Sequence, residues 1–344
     1  MRINHGRSFF CADMRVSGRP LRVGLVACFW SRGRLCESCV GSRSSAGRKW
    51  LRSLTKRHFV ATGSRRMRTS STESKASAAE PVQLHVARTS LRDALALPRS
   101  GALVSIVGGG GKSALLFALG ATLPGRTILT TTTRIFAAQI KRATASVESR
   151  TESDPHGLES KLADAPSGLL IVGRVEGEKA LGVEPAMPAQ WLARNDVDYV
   201  VVEADGSRMR PIKAPAAHEP VIAAGTTDVV IAIGIDALGL TISAAAHRPE
   251  RVQKLLGLEE GSVGGYTFTE ADVAKLATHP EGGLKEVPIS CRVVVMLNKV
   301  ETQAQREQAM GIAEEVLHET RVDRVIVGAL EGPEPDAWTL VRRF

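Results

Sequence analysis

Residues 102–123 read ALVSIVGGGGKSALLFALGATL. ALVSIVG (102–108) is an unbroken apolar run of strand length, and KSALLFALGATL (112–123) is rich in the helix formers Leu and Ala. Between them, Gly108 to Gly111 carry no Cβ. Strand, glycine turn and helix is the order in which a backbone can close N–H groups around phosphate oxygens. Glycine permits close approach, and the helix N-terminus adds partial positive charge. The common phosphate loop, G-x-x-x-x-G-K-[ST], has its first glycine six residues before the lysine. Here that position is Ile106, and the spacing is G-x-x-G-K-S from Gly108 to Ser113.

Outward from this stretch, apolar runs alternate with helical ones. Further strands are expected at RTILTTTT (126–133), GLLIVGRV (168–175), DYVVVEADG (198–206), DVVIAIGI (228–235), CRVVVMLNK (291–299) and RVIVGAL (324–330). Helices are expected near 134–145, 156–164, 187–194, 247–257, 269–277 and 302–318, with a short capped helix at SLRDALAL (90–97). Near-continuous Val and Ile runs between helices imply strands buried on both faces. The expected fold is α/β, a three-layer arrangement with a mostly parallel sheet, like that of phosphate-loop NTPases. An aromatic content of 4 % argues against a β sandwich built on aromatic packing.

The net charge of +9 divides unevenly along the 344 residues. Residues 1–70 hold 14 Arg and 2 Lys against Asp13 and Glu37, a net of +14, so the remainder carries −5. A mildly acidic body lacks the basic footprint of a nucleic-acid-binding domain. The Arg- and Ser-rich residues 1–68 have the composition of a transit peptide, which points to the mitochondrial matrix, with plastid or cytosol as alternatives. Residues 69–83 read as a linker, and 84–344 as one nucleotide-binding domain. VGLVACFW (23–30) is too short to span a bilayer, so no membrane span is expected. CESC (36–39) lacks a second pair to complete a metal site.

Ligands of such sheets bind at the carboxyl ends of the strands. Gly108, Gly109, Gly110 and Gly111 would cradle phosphate, Lys112 would contact the terminal phosphates, and Ser113 would help hold Mg²⁺. ILTTTTRIF ends the second strand in a row of hydroxyls, of which Thr131 and Thr133 share one phase. YVVVEADGSR ends a buried strand with Glu203 and Asp205, carboxylates suited to Mg²⁺ or to positioning water. MRPIKAPAAHEPVI offers Lys213, His218 and Glu219, and HRPE offers Arg248, as contacts for a substrate. MLNKVE places Asn298, Lys299 and Glu301 where GTPases read guanine, with Glu in place of Asp. Cys291 stands at a buried strand, where a thiol is usually an inert small hydrophobe.

The G-x-x-G-K-S spacing resembles the shorter loop of the Mur ligase and folylpolyglutamate synthetase group. More broadly, VGGGGKSALLFALG, ILTTTTRIF, VEADGSRMRPIKAPAAHEPVI, IGIDALG, HRPE and LNKVE, in this order, resemble the YqeC family over about residues 90–330. The resemblance implies a phosphate-loop NTPase-like accessory protein of selenium-dependent molybdenum hydroxylases. Mg²⁺ and ATP or GTP would then be its ligands, and Lys112, Glu203 and Asp205 its catalytic groups. A molybdenum hydroxylase or its maturation proteins would be its partners. Two alternatives stand beside an NTPase: a small-molecule kinase or ATP-dependent ligase, and a non-catalytic scaffold ordered by nucleotide.

Overall fold

The computed structural model describes residues 14–16, 19–21, 84–148, 155–165, 168–330 and 336–342. The chain separates into two units, Met1–Ala76 and Ser77–Phe344. In the first, Met14–Val16 pairs antiparallel with Arg19–Leu21. The transit-peptide expectation, CESC and the 69–83 linker otherwise lie outside the described residues.

The second unit is built on ten strands. In chain order they are β1 (Leu84–Thr89), β2 (Ala102–Gly108), β3 (Thr127–Thr131), β4 (Ala145–Glu148), β5 (Leu169–Val172), β6 (Tyr199–Glu203), β7 (Asp228–Gly234), β8 (Arg292–Asn298), β9 (Val322–Ala329) and β10 (Asp336–Arg342). They form one sheet in the order β1-β10-β9-β8-β7-β2-β6-β3-β5-β4. Eight consecutive strands, β9 to β4, pair in parallel. β10 alone runs against its neighbours β9 and β1. The helices are α1 (Leu91–Leu95), α2 (Lys112–Thr122), α3 (Pro155–Asp164), α4 (Met187–Leu192), α5 (Ile242–Ala245), α6 (Pro249–Leu256), α7 (Glu270–Thr278) and α8 (Gln303–Val316).

Strand alternation assigns the helices to two layers. On β7, Val230 and Ala232 join the cluster that holds Leu91 and Leu95 of α1 and Leu115, Leu116 and Leu119 of α2. Val229, Ile231 and Ile233 join the cluster of Val273 and Leu276 of α7 and Ile312 and Val316 of α8. Leu103 and Val200, in the opposite phase to α2, pack with Leu162 of α3 and Trp191 of α4. Helices therefore cover both faces, and the fold is a three-layer α/β sandwich. Every residue of β7 is buried, as a strand covered on both sides requires. Each fully buried Leu or Val contributes about 1.5–3 kcal/mol.

Local signals set several boundaries. Ser90 caps α1 by accepting from the Asp93 N–H, and Thr269 and Thr302 begin α7 and α8 with capping boxes. Pro249 occupies the first turn of α6, where its missing N–H costs nothing. One expected helix, 134–145, is instead a short strand (Ile135–Phe136), a 3₁₀ turn (Ala137–Arg142) and β4. None of the residues of that turn is buried, so no apolar stripe holds it as a longer helix.

The chain leaves β2 towards β3 and β5, returns to insert β6 beside β2, then crosses to β7 and proceeds to the other edge. The reversal of direction falls at β2, so the crevice beyond its carboxyl end is the expected ligand site. The glycine loop is placed there.

Candidate functional site

A cavity of about 1070 Å³ opens beyond the carboxyl ends of β2, β6 and β3. Its wall holds Gly111, Lys112 and Ser113 at the start of α2, Thr133 beyond β3, and Glu203 at the end of β6. The loops after β6 and β7 contribute His218, Glu219, His247 and Arg248, and Lys299 follows β8. Among the described residues, eight cationic side chains line it: Lys112, Arg134, Arg142, Lys179, Arg208, Arg210, Arg248 and Lys299. The acidic ones among the described lining residues are Glu203 and Glu219. On a body of net −5, this concentration of positive charge gives the crevice a field suited to an anion.

The glycine loop is packed too tightly for any other residue. A Cβ on Gly109 would lie 2.5 Å from the Pro211 carbonyl oxygen, and one on Gly110 would enter the backbone at Ile233–Gly234. Its own amides are largely spent. Gly108 N–H donates to Asp205 Oδ2 (3.0 Å), Gly109 N–H to Ala232 O (2.9 Å) and Gly110 N–H to Arg210 O (3.1 Å). This narrows the expected cradle: Gly108, Gly109 and Gly110 shape the turn. The donors left for an anion are the first-turn amides of α2, which a helix leaves without intrahelical partners. Gly111, Lys112 and Ser113 supply them at the cavity wall.

Lys112 is buried and curls back, donating to Gly108 O (2.7 Å) beside Asp205 Oδ1 (3.3 Å) and Glu203 Oε1 (4.0 Å). Asp205 Oδ1 thus has a charge partner at hand but no hydrogen bond of good geometry. Ser113 Oγ donates to Glu203 Oε2 (2.8 Å) and accepts from Gln139 Nε2 (2.8 Å). Burial pushes the Glu203 carboxyl up from its ordinary range, while Lys112 and Ser113 pull it down in part. A hydroxyl and a carboxylate side by side at the start of α2 suit the protein's share of a Mg²⁺ shell. Asp205 is fully buried and spends Oδ2 on Gly108 N–H and Lys213 Nζ (3.0 Å). It is a charge hub behind the wall and does not line the cavity, a correction to its expected place on the metal. Among the described residues, no three or more His, Cys, Asp or Glu side chains gather as a metal site. A Mg²⁺ ion would therefore rest on Ser113, Glu203, waters and ligand phosphates.

Behind the wall runs a chain of charges. Lys213 bridges Asp205 and Glu219 Oε2 (2.9 Å) and donates to Gly206 O (2.7 Å). Glu219 also accepts from Arg248 (2.6 Å) and from Ala216 N–H (3.2 Å). Burial works against the ionised form of Glu219. Lys213, that amide and Arg248 outweigh it and hold the carboxyl at about 2. His247 is lowered to about 4 by burial and by the charges of Arg248 and Lys213. Lys285 Nζ donates to the carbonyls of Ala216 (2.6 Å), Ala217 (3.1 Å) and Glu219 (2.8 Å), fixing the loop that carries His218.

Other expected contacts take different places. Thr131 is buried and donates to Glu203 O (2.9 Å), so of the two threonines only Thr133 reaches the wall. Lys213 is buried, leaving His218, Glu219 and Arg248 as the substrate candidates on the cavity. Asn298 Nδ2 donates to Gly110 O (2.8 Å) and its Oδ1 accepts from Leu330 N–H (3.2 Å), clamping the glycine loop to the end of β9. Lys299 pairs with Asp236 (2.7 Å). Glu301 is exposed and away from the cavity wall, and its backbone N–H donates to Gln305. The base-reading assignment of Glu301 therefore lacks a place on this cavity. Cys291 is buried before β8, its Sγ against Thr226 O (3.0 Å), and burial raises its thiol pKa.

Sequence reasoning missed Arg134, Arg142, Gln139, Lys179, Arg208, Arg210, His247 and Lys285. Arg134, Arg208 and Arg210 lie three to seven residues beyond the strand ends Thr131 and Glu203, a signal available in the sequence. Lys179, on the short strand Lys179–Ala180, and Lys285, in a turn, come from distant parts of the chain.

A family profile described as "YqeC protein" matches residues 104–250, which contain the glycine loop, the acidic strand and the HRPE turn. The chain is also 29 % identical over 236 residues to "Uncharacterized protein YqeC" of Escherichia coli (strain K12), covering 67 % of this chain and 88 % of that protein. The profile match spans most of the segments that form the cavity wall, and both comparisons support the YqeC family as the family of this chain.

Proposed function

We propose that this protein binds a nucleoside triphosphate with Mg²⁺ and hydrolyses it slowly, assisting maturation of a selenium-dependent molybdenum hydroxylase. The observation that carries the nucleotide reading is the Ser113–Glu203 pair at the start of α2, beside Lys112, in a cavity dominated by cations. The maturation role is an inference from family resemblance alone. On this reading the terminal phosphates lie against the first-turn amides of α2. Lys112 swings from Gly108 O to the phosphate oxygens. Mg²⁺, when bound, supplies charge neutralisation between phosphates. Glu203 orients water at the metal side, and Asp205 with Lys213 holds the loop and Lys112 in register. The chemistry asked of the protein is positioning and charge stabilisation.

The test is binding and phosphate release by the whole protein with Mg²⁺ and ATP or GTP. Lys112→Ala is expected to weaken nucleotide binding at least about tenfold. Undiminished affinity in that variant sinks the reading. Phosphate release without a partner supports an NTPase. Release only with a small acid supports a kinase or ligase, a second reading favoured by the cations remote from Lys112.

A further inference from the structure

The cations of the cavity fall into groups on either side of the glycine turn. Arg134, Arg142 and Lys179 belong to the β3 side, where Gln139 reaches Ser113. On the other side, the chain after β6 folds across the turn towards β7: Gly110 N–H donates to Arg210 O (3.1 Å) and Gly234 N–H to Pro211 O (3.0 Å). This crossing carries Arg208 and Arg210 to the cavity wall, where Arg248, His218 and His247 join them.

The charges of this second group are not balanced from within. Among the described residues, neither Arg208 nor Arg210 has a carboxylate partner within ion-pair distance. Arg210 is held by the Ala244 carbonyl. Among the described residues, the carboxylate that Arg248 meets, Glu219, is shared with Lys213. The backbone is also set unusually: Arg208 and Met209 take positive φ (49° and 62°), as does Arg248 (65°). Non-glycine residues enter that region at a cost and often at ligand sites. Burial first, and then the charges of Arg248, Lys213 and Arg208 against the opposing Glu219, hold His247 at about 4.

A triphosphate chain held at Lys112 and Ser113 engages the start of α2; among the described residues it leaves Arg208 and Arg210 without an anion, while Arg248 keeps its share of Glu219. Guanidinium forks match the planar oxygen pairs of carboxylates and the faces of phosphates. The geometry points to a second oxyanion site, formed by Arg208, Arg210 and Arg248 with His218 and His247. It takes a small co-substrate bearing a phosphate ester or carboxylate, bound beside the nucleotide. The role of co-substrate rests on the nucleotide reading above; the oxyanion site does not.

Calorimetric titration of the full chain separates the two. Inorganic phosphate and malonate are titrated into protein saturated with Mg²⁺ and a non-hydrolysable triphosphate analogue, and again without nucleotide. One of the two anions is expected to bind under both conditions, and the tighter one names the class. The Arg208→Gln/Arg210→Gln variant is expected to weaken that anion at least about tenfold while nucleotide affinity stays within about threefold. Arg208→Gln alone, at an exposed side chain, is the control for folding and is expected to act in the same direction. Lys112→Ala is expected to do the reverse, losing nucleotide and keeping the anion. Failure of both anions to bind at millimolar concentration overturns the site. So does equal loss of nucleotide and anion in the arginine variant, which would mean a single site. Arginine-dependent anion binding in a protein that takes no nucleotide leaves the oxyanion site standing and removes the nucleotide reading.

Discussion

At the scale of single residues, Lys213 shows how a side chain can be essential to a site without touching its ligand. It is buried between Asp205 and Glu219, with Gly206 O as a third acceptor. Removing one partner of a buried pair leaves the other charges uncompensated, which costs about 3–5 kcal/mol. Lys213→Met is therefore expected to lower stability to urea unfolding by that amount. A loss below about 1 kcal/mol would mean that water or a rearranged Arg248 takes over. From sequence, a proline-punctuated loop among polar residues makes Lys213 a candidate substrate contact. A sequence shows that a lysine is present; burial decides whether its ammonium meets ligand or carboxylate. Asp205 illustrates the same point. Two residues from Glu203, it passes the end of β6 and turns behind the wall.

At the scale of elements, the 206–219 loop and the 246–249 turn work as one unit. Ile212–Lys213 and Ala246–His247 pair as a short parallel ladder, and Arg248 closes on Glu219. This unit carries a pH dependence with a definite sign. His247 is held at about 4 against an ordinary 6.5, so the folded state binds its proton less well than the unfolded chain. Its contribution is complete above about 6.5 and is lost as pH falls towards 4. Glu219, held at about 2 against 4.5, adds a loss that begins near 4.5 and runs downwards. Among the described groups around His247, the charges of Arg248, Lys213 and Arg208 oppose protonation and Glu219 favours it. Melting temperature is expected to drop as pH falls below about 6.5, and His247→Gln is expected to flatten the drop between about 6.5 and 4.5. An unchanged slope in that variant would assign the effect elsewhere. The elements themselves were largely legible. Long Val and Ile runs, a capping serine and a Pro at a helix start each fix a local choice independently of the rest. The 134–145 stretch was misread because its composition permits a helix while its packing gives one nothing to bury against.

At the scale of the whole molecule, a cationic crevice sits on a body whose net charge is −5. Local focusing, and not net charge, then governs anion capture. The association rate of a triphosphate is expected to fall steeply as salt rises from about 0.01 M to about 1 M, over which the Debye length shrinks from about 30 Å to about 3 Å. Stopped-flow association measures it, and a salt-independent rate would contradict capture by the crevice. None of the described helices is long and apolar enough to cross a membrane.

The chain's own order of residues was enough to specify the three-layer α/β class, most strand positions and the GKS turn. These follow from hydrophobic period, caps and glycine, all properties of neighbours along the chain. It was not enough to say which loops meet. The strand order brings β6 between β2 and β3, sends the next segment across the glycine turn and seats Arg208, Arg210 and Arg248 on one cavity. It also spends the amides of Gly108, Gly109 and Gly110 inside the fold and leaves Glu301 off the wall. Those outcomes depend on contacts between residues far apart in sequence, whose geometry exists only once the sheet has formed.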